Sequence, residues 1–283
     1  DYERWDEKTG DEDWTDIYGE GWKKLRKLRL EKTSNRDFGF DVLMANPPFA
    51  GDIKETRILA KYELARSVTL AKIGKVDPDD TNILDTKGRN PSFTEALHAS
   101  HEVIFKMGDG TFRKVKVKNQ NTVGRDILFI ERNLSFLKPG GRMAVVLPQG
   151  RFNNASDKSL REFLAAHCRI LSVVGLHGNV FKPHTGTKTS VLFVQKWNDD
   201  PALGPLCPRT EDYPIFFATM REPSKDNSGD KIYRMGPDGT PLLDSHGHLI
   251  VKHDLFNHDG LTQDGIAEAF IEFAKKEGLD FFL

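Results

Sequence analysis

The stretch Phe40-Asp41-Val42-Leu43-Met44-Ala45-Asn46-Pro47-Pro48-Phe49 decides how this chain is read. An apolar run ends on an asparagine followed by two prolines and an aromatic. Proline has no N–H to give to a sheet ladder, and the residue before a proline is pushed out of the helical region, so a strand over 40–45 must stop at Asn46. An asparagine on a rigid turn at the end of a buried strand offers its side-chain carbonyl, and Pro47 offers its backbone carbonyl. Two such acceptors converge on a single NH2 group, the kind adenine carries at N6. They hold the nitrogen lone pair out of conjugation and aimed at an electrophile, which is catalysis by positioning and electrostatics. Phe49 adds a flat apolar face for a base swung out of its stack. Taken alone, the tetrapeptide also fits an ordinary strand-ending turn, and its surroundings must choose.

Downstream the pattern alternates helix and strand. Ile127, Leu128, Ile130, Leu134 and Leu137 recur at helical spacing over about 126–137, and Lys138-Pro139-Gly140-Gly141 is expected to be the turn that ends this helix. Met143 to Leu147 is a short unbroken apolar run, expected to be a strand covered on both faces, closing on Pro148-Gln149-Gly150. A second helix is expected over about 157–167 with Ser156 or Asp157 as N-cap. Strands follow at 170–174 and 190–194, joined by the loop 175–188.

This succession resembles the modification subunit of type I restriction-modification systems, within the N6-adenine DNA methyltransferase family. The resemblance covers about 40–197 and rests also on Leu147-Pro148-Gln149-Gly150 and Thr187-Lys188-Thr189-Ser190-Val191-Leu192. It implies an α/β, Rossmann-like methyltransferase fold, of which the chain carries the carboxyl-terminal half of the sheet with a reversed hairpin at the edge. It implies Asn46, Pro47, Pro48 and Phe49 as the catalytic loop and Phe181 as a second aromatic, so that a flipped adenine lies between Phe49 and Phe181. It also implies S-adenosyl-L-methionine as donor, double-stranded DNA as substrate, and a specificity subunit and a restriction subunit as partners. The other reading of Phe181 is a core residue plugging the end of the sheet.

The sequence departs from the family where the donor binds. A nucleotide-type donor is held where a first strand enters a glycine-rich turn. Gly108-Asp109-Gly110 instead precedes the alternating Phe112 to Val117 and is expected to be a hairpin turn. The expectation is therefore a carboxyl-terminal fragment, inactive in isolation. A noncatalytic DNA-binding or assembly module on the same half domain is the alternative.

The divisions expected are a charged segment 1–37, a catalytic core 38–198 with an insertion at 50–124, and an extension 199–283 ending in an amphipathic helix over 266–277. Within the insertion, 54–71 is expected to be helical. A further strand is expected over 213–218, and turns at Pro237-Asp238-Gly239 and at Ser245-His246-Gly247-His248.

Lys and Arg number 41 against 42 Asp and Glu, so long-range charge does not by itself drive DNA binding. The basic runs 23–29 and 113–118 fit phosphate contacts or solvated faces. Cys168 and Cys207 are too few and too widely spaced for a disulfide framework or a zinc site, and a reducing cytoplasm suits them. No apolar stretch reaches the length of a membrane span. His246, His248, His253 and His258 sit among glycines and aspartates and read as loop residues rather than a metal site. Gly186-Thr187-Lys188-Thr189 enters a strand rather than a helix, unlike a nucleotide-phosphate loop.

Overall fold

The computed structural model describes residue 23 and residues 39–279, apart from 75, 77–81 and 100–102. The chain divides into two units, 1–40 and 41–283. The charged segment 1–37 and its basic run, Lys23 apart, lie outside the described residues.

In chain order, β1 (Phe40–Ala45) leads into the proline turn, and the insertion then forms β2 (Asp52–Ile53), β3 (Arg66–Ile73), β4 (Ile83–Asp85), β5 (Ile104–Lys106), β6 (Phe112–Asn119) and β7 (Val123–Gly124). The helix Arg125–Phe136 precedes β8 (Leu137–Pro148). The helix Lys158–His167 precedes β9 (Cys168–Gly175), and β10 (Thr189–Lys196), β11 (Phe216–Thr219) and the helix Ile266–Lys276 follow. One five-stranded sheet has the order β1-β8-β10-β9-β11. β10 runs antiparallel to both β8 and β9, the reversed hairpin read from the sequence, and β11 adds outside it, parallel to β9. The starts of β1 and β8 lie together, because Lys138 Nζ sits 2.9 Å from both carboxylate oxygens of Asp41. Their ends meet at a common cleft, so the two strands point the same way.

The core explains the alternation along β8. Met143, Val145 and Leu147 are at most 1% exposed, as are Leu192 and Val194 of β10. They meet Ile130 and Leu134 of one helix and Leu160, Phe163 and Leu164 of the other. Each such side chain contributes roughly 1.5–3 kcal/mol by leaving water. The expectation of a strand covered on both faces is corrected here. Among the described residues the second face is only flanked, by the helix Ile266–Lys276 at its β9–β11 end, and Val42 and Met44 stay 63% and 82% exposed.

Lys138-Pro139-Gly140-Gly141 is a second correction, since these residues open a twelve-residue strand rather than forming a turn. The helix before them needs no separate stop. Lys196 Nζ reaches back from β10 to the carbonyls of Leu134, which also accepts the Leu137 N–H, and Leu137 at 3.0 and 2.8 Å, placing a cation at the helix end where it is favoured. Gly140 takes φ +71°, where a Cβ would collide with the Pro205 carbonyl.

The expected helix over 54–71 is also corrected. Only Thr56–Leu59 is helical, and Arg66–Ile73 is a strand paired with β6 over eight residues. Ladder pairing and the half-buried Val68 and Leu70 outweigh local propensity there. The Glu131 carboxylate accepts the N–H groups of Glu63 and Leu64 at 2.8 and 2.9 Å and fixes the chain where it changes direction. Burial pushes the Glu131 carboxyl above its ordinary range, partly opposed by those two donors. The Asp-Gly turn is as expected: β5 and β6 pair antiparallel about it, and Gly110 takes φ +77°.

The insertion is thus a four-stranded sheet, β3-β6-β5-β4, with the helix Phe93–His98 beside it. Ser92 and Glu95 cap that helix reciprocally, and Arg89 grips the Glu95 carboxylate at 2.6 and 2.8 Å. Glu162, on the helix Lys158–His167, accepts the Phe93 N–H at 2.7 Å, while Leu64, Phe93 and Leu97 join the main core. The insertion is therefore bound into the core.

Candidate active site

The cleft grows out of the end of β1. Proline chemistry ends the strand as expected: Asn46 is exposed, Pro47 buried, Pro48 exposed and Phe49 half-buried. No hydrogen bond takes up the Asn46 side chain among the described residues, so its carbonyl is open to a donor. Pro48 and Phe49 line a cleft of about 700 Å³ together with Pro148, Arg151, His184 and Thr187, whereas Asn46, Pro47 and Phe181 are not among its lining residues. Gln149 donates its backbone N–H to the Lys188 carbonyl at 2.9 Å, which holds the end of β8 to the start of β10.

The structure brings Phe181 to Phe49. The ring centroids lie 5.8 Å apart with the planes at 88°, an edge-to-face contact. A base stacked face to face between two rings would hold them roughly 7 Å apart, twice the rise of stacked bases, and the observed pair is not in that arrangement. The loop bearing Phe181 is held by the extension. Asn179 donates to the Lys225 carbonyl at 3.0 Å, and Lys225 Nζ donates to the Lys182 carbonyl at 2.7 Å. This brace was not legible in the sequence, because 225 and 179–182 carry no pattern that pairs them.

Sequence reasoning also missed the cleft wall. Arg151 places Nε and one Nη on Asp126 at 2.8 and 3.0 Å and its other Nη on Asp157 at 3.0 Å. Asp126 and Asp157 are 1% and 6% exposed. Burial alone would lower the Arg151 pKa, but the hydrogen bond and charge of Asp126, then those of Asp157, outweigh it and the net shift is upward. Asp157 occupies the N-cap position expected of it, yet its side chain makes no capping bond and turns to Arg151. The signal available was the Arg151 that directly follows Leu147-Pro148-Gln149-Gly150, a stretch read as a strand end and as part of the family resemblance but not extended to the arginine.

The remaining candidates fall outside the cleft. Cys168 and Cys207 are free, and burial pushes their thiols up to about 12 and about 11, so neither is a nucleophile. His253 and His258 face each other at 3.1 Å between Nε2 atoms, and His246 stacks on His248. No group of three or more metal-ligating side chains occurs among the described residues. There, too, no helix is long and apolar enough to cross a membrane.

The mixed α/β sheet thus carries, at the end of β1, an exposed asparagine, two prolines and an aromatic that meets a second aromatic. The chain belongs to the N-6 DNA methylase family, whose model matches residues 75–235, a span that begins after Asn46 to Phe49. It is similar to the methylase subunit of the type I restriction enzyme EcoEI of Escherichia coli, at 37% identity over 70 residues, 24% of this chain and 14% of that protein. Among solved structures it overlaps a chain of a type I R-M system (16% identity, TM-score 0.33, 90% of this chain and 38% of that one). It also overlaps the M protein of the type I restriction enzyme EcoKI (20% identity, TM-score 0.28, 42% and 22%). The chain thus spans well under half the length of these relatives.

Proposed function

We propose that this chain carries the target-base half of a DNA adenine-N6 methyltransferase of a type I restriction-modification system. In this reading Asn46 and the Pro47 carbonyl accept the adenine amine, and Phe49 and Phe181 stack the extruded base. Pro148, Gly150, Arg151, His184, Thr185 and Thr187 form the rest of the cleft lining around Pro48 and Phe49. The observation that carries it is the meeting of Phe181 with Phe49, from loops far apart in sequence, where Phe49 lines the cleft and follows Asn46 by three residues. The methyl donor would be S-adenosyl-L-methionine, supplying an electrophilic methyl group. Among the described residues no glycine-rich turn leads from a strand into a helix beside β1, and these residues do not fit a nucleotide-type donor. What this chain supplies is binding of the base, orientation of its amine and exclusion of water from it. Double-stranded DNA, a specificity subunit and a restriction subunit are the partners the family membership favours, in a reducing cytoplasm.

The test uses a duplex with 2-aminopurine at a mismatched position, where extrusion costs least. Fluorescence should rise on adding the chain, and Phe49→Ala and Phe181→Ala should each weaken the response. A response that ignores both substitutions refutes the stacking roles.

A further inference from the structure

A second groove opens on the far side of the turn that walls the cleft. Asn154 and Asp157 face the cleft, whereas Ser156 and Lys158, beside them in sequence, face a groove of about 590 Å³ between the helix Lys158–His167 and the edge strand β3. The insertion springs from the cleft itself, since Ala50 lines the cleft and the β2–β7 pair joins the two ends of the insertion directly after it. Polar side chains share the groove's lining with Val68, Leu70, Pro91, Phe93 and Ala96. Arg66, Arg113 and Lys158 supply positive charge, and Ser156 and Thr69 also line the groove, the Thr69 hydroxyl donating to the Lys116 carbonyl at 3.3 Å. Glu162 is the acidic residue of the lining, and it is engaged by the Phe93 N–H and by Lys158 at 3.4 Å. Arg113 pairs through one Nη with Asp109 at 3.9 Å, while its Nε is buried without a hydrogen-bond partner, a donor still to be satisfied.

Charge is segregated here. Over a chain whose charges nearly cancel, β3 and β6 carry Arg66, Lys72, Arg113, Lys114, Lys116 and Lys118 and no acidic residue. In the register of the two strands, Lys118 stands opposite Ser67 and Lys116 opposite Thr69. These exposed lysines lie outside the groove lining, one strand behind Ser67 and Thr69, whose hydroxyls donate to the Lys118 and Lys116 carbonyls. Strands of this length need no such bias to fold. Like charges on adjacent strands oppose pairing, so the bias has a cost in the unliganded protein that a polyanion would offset.

We propose that this groove and its basic strands bind the sugar-phosphate backbone of the nucleic acid whose base enters the neighbouring cleft. The choice of nucleic acid rests on the function proposed above; the groove's affinity for phosphates does not. The full chain is titrated with a mixed-sequence 30-base-pair duplex by fluorescence anisotropy at several salt concentrations. Each lost phosphate contact lowers the slope of log affinity against log salt by about 0.9. Arg66→Gln, Arg113→Gln and Lys158→Gln together should lower it by about 2.7. Arg66→Lys alone should leave it unchanged, and so should Lys275→Gln on the helix Ile266–Lys276. A triple variant with the original slope, or an unmodified chain that binds no duplex at 50 mM salt, overturns the proposal; an acidic protein segment seated in the groove would give the former result. Failure of the base-extrusion reading looks different: 2-aminopurine stays dark while duplex binding and its salt slope persist.

Discussion

Replacing Arg151 by alanine should unfold the wall of the cleft before it affects anything else. Three hydrogen bonds of 2.8–3.0 Å join its guanidinium to two carboxylates, and one of these is 1% exposed. Arg151 itself is 24% exposed, sheltered enough for its charge to matter. Without it, Asp126 and Asp157 remain buried near each other with no counter-charge, and breaking a buried pair from one side costs about 3–5 kcal/mol. Set against a total stability of about 5–15 kcal/mol, that is a large fraction. With a urea m-value of about 3 kcal/mol/M and a loss of about 4 kcal/mol, the midpoint of unfolding falls by about 1.3 M. Arg151→Lys keeps the charge but loses the two-pronged grip on Asp126, and should cost about half as much. Urea denaturation followed by tryptophan fluorescence and by far-ultraviolet circular dichroism measures both. An Arg151→Ala midpoint within about 0.3 M of the unmodified chain, equivalent to about 1 kcal/mol, would refute the reasoning.

Three further outcomes are expected. In a complete enzyme containing these residues, Asn46→Ala should abolish methyl transfer to DNA while donor affinity stays within about threefold, because the missing carbonyl serves the target amine; methylation at an undiminished rate contradicts that role. Phe49→Ala and Phe181→Ala should each weaken capture of an extruded base by about 1–3 kcal/mol, roughly 5- to 150-fold, read from 2-aminopurine titrations. The Arg89 hydrogen bond holds the Glu95 carboxyl down at about 2, below an ordinary value of 4.5, so its contribution is whole above pH 4.5 and is lost as pH falls through about 2. Because the pair is largely exposed, the gain over Glu95→Gln should stay below about 1 kcal/mol, and amide exchange over 93–98 should show the difference shrinking toward pH 2.

The local alphabet was enough for the order of the core elements. Prolines at 47 and 48 end β1 because they cannot donate, the 3.6-residue spacing from Ile127 to Leu134 buries one side of a helix, and the glycines at 108 and 110 turn a hairpin. Segment 54–71 was misread for the opposite reason. Its residues form helix well in isolation, and only pairing with β6, forty residues later, makes 66–73 a strand. Lys138 to Gly141 likewise reads as a turn until Lys196, from another strand, caps the preceding helix.

The sequence by itself determined that a strand breaks at an asparagine flanked by rigid peptide, since that follows from covalent constraints on a few adjacent residues. Only the tertiary structure decided what meets the loop that follows that asparagine. Phe181 reaches Phe49, Arg151 locks two buried aspartates, and Lys225 braces the aromatic loop through contacts between residues that no local pattern connects. Such contacts depend on how whole elements stack to bury their apolar faces, a property of the assembled chain rather than of any one stretch of it.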